Sequence, residues 1–207
     1  MTRTNPGKIA LLLATGTVIG LTTIHNAKSA DRVRVHGTVE SLDGDRLTIK
    51  GSDGQDIVVT MTSGLKVLGV KNASAADVRT GDFVGIGSQP TAGGINGAVQ
   101  VVIFPASMKG TGEGDRPWNV RPNGSMTNAT VATAVKDVNG QTVTLAYKGG
   151  ERKISIADGT KIVALAPATR SDLKPGAVVS AQGVSDGDNM LAADRLSVGL
   201  DGAIPPM

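Results

Sequence analysis

The chain has 207 residues, with 21 Lys and Arg against 18 Asp and Glu and a formal net charge of +3. It contains no cysteine, which excludes disulfides, thiolate zinc sites and a cysteine nucleophile. Only 2% of residues are aromatic (Phe83, Phe104, Trp118 and Tyr147), so any core is aliphatic, and the 28 glycines suit short strands joined by tight turns.

Three of the basic residues, Arg3, Lys8 and Lys28, fall in residues 1–30 together with no acid, so the remainder of the chain is electrically neutral. A nucleic-acid binder needs a clustered positive field along phosphates, and no such run is present. Nucleic acid is therefore not an expected partner. Arg3 and Lys8 precede an apolar stretch over residues 9–24, and small residues follow at Ala27, Ser29 and Ala30. Basic, apolar, small is the order of a secretory signal. The stretch is shorter than the roughly 20 residues that span a bilayer. Residues 1–30 are read as a signal peptide whose removal leaves a periplasmic or secreted protein, in contact with the membrane only if the segment is retained. Cleavage after Ser29 places Ala27 at the minus-three position; cleavage after Ala30 would place Lys28 there.

From residue 33 the chain alternates. Val33, Val35 and Val39 are interleaved with Arg34, His36 and Glu40, a period of two that marks a half-buried strand. Asp43-Gly44-Asp45 carries hairpin chemistry. Leu47 and Ile49 resume the alternation, Ser52-Asp53-Gly54 turns again, and residues 57–61 make a third strand, with a short apolar piece at 65–70. Residues 73–78 form the one helix-like piece. Phe83-Val84 and residues 98–104 supply the last strands around a Gly-rich loop at 91–97.

The pattern then repeats. Val35, Val39, Leu42, Leu47 and Ile49 match Val131, Val135, Val138, Val143 and Leu145 at an offset of 96 residues. Gly64, Lys66, Asp77, Gly81 and Val84 match Gly159, Lys161, Asp172, Gly176 and Val179 at 95. A near-constant offset indicates duplication, with a period longer than typical solenoid repeats. Closing five or six short strands into a barrel removes sheet edges and encloses one core. The expected fold is all-β: two tandem small OB-like or SH3-like barrels with short helical turns, at residues 31–104 and 128–200. A Gly/Pro-rich linker at 105–127 joins them, and a tail at 201–207 follows.

The frame Gly37-x-Val39, Asp43-Gly44, Leu47-Thr48-Ile49-Lys50, Asp53-Gly54 and Asp77-Val78-x-x-Gly81-Asp82-x-Val84 resembles a domain of unknown function found, often in tandem, in exported bacterial proteins. Residues 108–118 also resemble a segment of some two-copy members, in which His stands where this chain has Asp115. Some of those proteins carry a metal-transport label. This chain has no further apolar stretch of spanning length, so the resemblance implies no permease here.

The connecting segment concentrates the candidate site: Glu113, Asp115, Arg116 and Trp118. Trp118 is suited to stack on a sugar or peptide and Arg116 to pair with a carboxylate. Equally, Trp118 is suited to cap one barrel while Glu113 and Arg116 act as local structural partners. Asp43-Gly44-Asp45 and Asp186-Gly187-Asp188 read as turns, because calcium takes six to eight oxygens and each cluster offers two acids. His36 is the single histidine outside the signal segment, so a histidine metal site or a Ser-His-acid triad is not expected. No cofactor, metal site or catalytic residue is assigned. The expected function is a non-catalytic binding or scaffolding module of the cell envelope, with an envelope protein or a glycan as partner. An accessory role in metal handling and a hydrolase with a carboxylate site between the barrels are the alternatives.

Overall fold

The computed structural model describes Met1 and residues 32–138 and 140–206, so the expected signal segment lies outside the described residues except for Met1. Among the described residues the regular elements are twelve strands and three single turns of 3-10 helix. The strands are β1 Arg32–Asp43, β2 Arg46–Gly51, β3 Asp56–Ala73, β4 Phe83–Gln89, β5 Asn96–Phe104 and β6 Gly114–Pro117. They continue as β7 Ser125–Asp137, β8 Gly140–Tyr147, β9 Gly150–Ala157, β10 Lys161–Pro167, β11 Val178–Ser185 and β12 Met190–Gly199. The described chain is all-β, as the period-two pattern predicted. The helix-like piece at 73–78 shrinks to one turn, Ala75–Asp77, and its repeat to Arg170–Asp172. Each begins where an acid three residues on closes the turn. Asp77 accepts the backbone N–H and the hydroxyl of Ser74, at 2.9 and 2.8 Å. Asp172 accepts the same pair from Thr169, at 2.8 and 3.2 Å.

Five strands close a barrel in the order β1-β2-β3-β12-β11, returning to β1. All neighbours are antiparallel except β3 and β12, which are parallel. β7, β8, β9, β5 and β4 pair in the corresponding order, with a short parallel contact between β5 and β9 at Asn96↔Ile154 and Gly97↔Ser155. β10 ties the two groups, antiparallel to β3 and parallel to β5.

The barrel is thus not drawn from one contiguous segment. β1, β2 and β3 belong to the first sequence copy; β11 and β12 belong to the second. The last strands of the first copy, β4 and β5, lie with β7, β8 and β9. The expected boundaries 31–104 and 128–200 therefore do not enclose the closed barrel, which takes β11 and β12 from the second of those segments. The cause is β3. The sequence suggested a strand at 57–61 and a separate piece at 65–70, yet β3 runs unbroken for 18 residues. At about 3.3 Å per residue it spans both groups and carries residues 74–104 away from β1. Gly64, at the place of the expected break, lies in a bulge of β3: Ala193 pairs with Met61 and Arg195 with Lys66, so residues 62–65 oppose a single residue of β12.

The arrangement is pseudo-symmetric. β3 and β10 cross antiparallel so that Val70 pairs with Leu165, its own counterpart at the 95-residue offset. Each core draws on both segments of the chain. One packs Val39, Leu47, Ile49 and Val59 against Val179, Leu191, Leu196 and Val198. The other packs Val84, Ile86 and Val101 against Val131, Val143, Leu145, Ile154 and Ile156. The C-terminal tail seals the joint: Leu200 donates its N–H to the Val70 carbonyl at 2.8 Å, and Ala203 is buried with Val70 and Val163.

The register also corrects the first part of the repeat. β1 is interrupted between Val39 and Ser41, and β7 between Val131 and Thr133, so Val39 corresponds to Val131 rather than to Val135. The difference of four residues is a longer β7–β8 hairpin, which adds the pairs Lys136↔Gln141 and Asp137↔Gly140. Val135 and Val138, matched by sequence to core positions, are consequently exposed on it, at 62% and 97%.

Candidate functional site: the connecting segment and the two barrel mouths

Residues 105–124 are a strap rather than a free linker. Within it β6 pairs antiparallel with the first half of β7, in register Asp115↔Thr127 and Arg116↔Met126. The chain then turns back, with Trp118 donating its N–H to the Gly124 carbonyl at 2.9 Å. The sequence makes this turn with Pro122, Asn123 and Gly124, and Asn123 takes a positive φ of 54°.

The structure places the four sequence-chosen residues on this strap and engages each within the fold. Trp118 is 9% exposed and lies flat on the outer face of β4. A Cβ at Gly87 would stand 2.8 Å from its six-membered ring, so the indole requires glycine there. Glu113 accepts the backbone N–H of Lys148, in the β8–β9 turn, at 3.0 Å. Arg116 donates to the Gly112 carbonyl at 2.9 Å. Asp115 turns inward, over the mouth of the β7–β8–β9 group. It accepts the hydroxyls of Ser125 and Thr127, the latter at 2.7 Å, and pairs with Arg152 at 3.1 Å. The side chains of Asp115 and Arg152 are 22% and 30% exposed. Ser125, Thr127 and Arg152 occupy the inward phase of their strands, in line with Ala129, Val131, Ile154 and Ile156. This polar plug was missed by sequence reasoning, because Arg152 and Ser125 look like ordinary surface residues until the strand phase is known.

The closed barrel has the equivalent mouth. By the structural register Val33 and Val35 stand where the other group has Ser125 and Thr127, and Ile57 stands where it has Arg152. Here the lining is apolar. Val33, Val35, Ile57, Met190 and Leu191 border a hollow of about 240 Å³, and Met190 is 44% exposed. Over residues 32–36 β1 pairs with β11 on one side, and among the described residues no strand pairs with its other edge, whereas β6 covers the corresponding edge of β7.

Asp45 pairs with Arg170 at 2.7 Å, and Asn189, beside Asp186-Gly187-Asp188, donates to Gln55 at 3.1 Å. Among the described residues no group of three or more His, Asp or Glu is arranged to hold a metal. His36 is partly buried on the outer face of β1. Burial lowers its pKa below the usual histidine value, and the positive charges of Arg34 and Lys161 lower it further. No family model, no curated protein and no solved structure matches this chain.

Proposed function

We propose that the chain is a non-catalytic binding module of the bacterial cell envelope, exported by residues 1–30 and acting on another envelope protein. The observation that carries the reading is the contrast between the two mouths. One is closed by the chain's own strap, with every sequence-chosen charge spent on holding it. The other presents an apolar hollow beside a strand edge that no described residue covers, and monomeric proteins seldom leave such an edge bare without a use.

The strand order 1-2-3-5-4, with the third and fifth strands parallel, supports reading the closed barrel as OB-like, and the β7–β8–β9 group as its partner by duplication. OB-type barrels bind oligonucleotides or oligosaccharides on the outer face of their second and third strands. In the closed barrel that face carries Arg46, Thr48, Lys50, Val58 and Thr60, with no aromatic platform for bases or sugar rings. A protein partner at the mouth therefore fits better than nucleic acid or glycan on the face.

The test is fractionation of cells producing the tagged chain, with a photo-crosslinker at Val35 and a second at Thr142 on the opposite group. The expected result is a processed chain in the envelope fraction, starting at Ala30 or Asp31, that crosslinks one identified envelope protein from Val35 only. A chain that remains cytoplasmic, or equal crosslinking from both positions, overturns the reading.

A further inference from the structure

We infer that the edge of β1 at residues 32–36 takes up an extended segment of a partner protein as an added antiparallel strand, with one apolar side chain entering the hollow and acidic residues on either side of it. This rests on the binding-module reading above and names its mode.

The molecule carries its own template. On the β7–β8–β9 group, β6 occupies the same edge. Gly114 and Arg116 face Asn128 and Met126, while Asp115 between them points into the mouth. Transferred by the register, those three places face His36, Arg34 and Val35. The backbone is poised for it. Val39 exchanges hydrogen bonds with residues 176 and 177 beside β11, its N–H donating to Ala177 and its carbonyl accepting from Gly176. Hydrogen bonding alternates along a strand, so Val33, Val35 and Gly37 also turn toward β11, while Arg34 and His36 turn their N–H and C=O groups to the open side.

The side chains set the chemistry of the guest. An acid at the Asp115 place would meet Val33, Val35 and Ile57 instead of Ser125, Thr127 and Arg152, and would lose all three of its partners; an apolar residue fills the hollow. On the outer face Arg34 and Lys161 form no ion pair among the described residues, and both lie near His36. Acidic residues flanking the apolar one would sit beside them, on a pairing position where opposite charges favour association. The guest comes from outside the chain. Once residues 1–29 are removed, only Ala30 and Asp31 precede β1, whereas β6 needs the seven residues 118–124 to turn back onto β7. Main-chain bonds supply affinity and alternate side-chain pockets supply selectivity, as in other strand-addition sites.

The experiment uses the exported chain purified from the envelope fraction, with its N-terminus read by mass spectrometry. The probe is a blocked, fluorescein-labelled octapeptide of alternating Glu and Val, followed by fluorescence anisotropy. Saturable binding is expected at micromolar concentration, at least tenfold weaker for alternating Lys and Val and absent for alternating Glu and Ser. Arg34→Pro removes an N–H that the fold does not use and should abolish binding with the melting temperature retained. Arg34→Glu, an exposed substitution that leaves the backbone intact, should reverse the preference toward the Lys peptide. Equal binding by wild type and both variants overturns the inference, as does no binding at 1 mM by a correctly processed chain. A dimer broken by Arg34→Pro assigns the edge to a second copy and also overturns it. A purified chain that retains residues 1–30 instead sinks the export reading beneath it.

Discussion

Cutting the chain between its two sequence copies should leave neither piece folded. Residues 31–104 hold β1 to β5 but not β11 or β12. Such a fragment keeps Val84, Ile86 and Val101 with no partner core, although each is fully buried in the intact chain. Burial of one such side chain stabilises by about 1.5–3 kcal/mol, so these three alone forfeit roughly 5–9 kcal/mol. Net stabilities of domains are about 5–15 kcal/mol. β1 also loses seven paired residues on β11, and β3 loses nine on β12. To recover by closing on itself, the fragment would have to fold β3 back at its bulge, residues 62–65. The assay is far-UV circular dichroism and thermal melting of residues 31–104 and 105–207, apart and mixed. Each alone should show no cooperative transition, and the mixture should give a one-to-one complex by light scattering with a single melt. A fragment 31–104 that melts cooperatively as a monomer would refute the reasoning, because it would show that each copy completes its own barrel.

Trp118→Ala removes a buried indole from β4 and should cost about 3–5 kcal/mol in denaturant unfolding; a loss under 1 kcal/mol would show that the strap is not needed for stability. Gly87→Val pushes a side chain into the same ring, so the emission of the single tryptophan should shift to the red, and an unchanged spectrum would contradict the packing. Asp115→Ala leaves Arg152 half-buried without its carboxylate and should cost about 1–3 kcal/mol. Adding Arg152→Met should recover part of that loss, and strictly additive effects would deny the coupling. His36 has a lowered pKa in the fold, so the unfolded chain takes up a proton there first. The stability tied to His36 is complete above the unfolded value of about 6.5 and declines as pH falls from there toward the folded value. Melting temperatures between pH 7.5 and 5 should drop less in His36→Asn, and an identical drop would remove His36 as the cause.

Much of the secondary structure was legible because its signals are local. Alternation through Val33, Val35 and Val39, the turn at Asp43-Gly44-Asp45 and the helical turn within residues 73–78 each depend on residues a few positions apart, and each appears where the chain suggests it. The register of the first strand was not legible. Val35, Val39 and Leu42 match Val131, Val135 and Val138 as valine-like letters, but four residues added in the β7–β8 hairpin shift which of them face inward. The chemistry of the candidate residues was legible in kind but not in employment. A carboxylate at 115 and an indole at 118 suit a ligand as well as a strap, and only the phase of Ser125, Thr127 and Arg152 shows what Asp115 serves.

From its order of residues alone this protein is an aliphatic, cysteine-free β-chain. Which strands share a core was decided in three dimensions. β4 and β11 carry similar alternating patterns, so side-chain pattern cannot choose between them as partners for β1. The choice follows from the path of one long strand: β3 continues as a strand past Gly64, its continuation is held against β10, and the strands that follow are delivered to the far side.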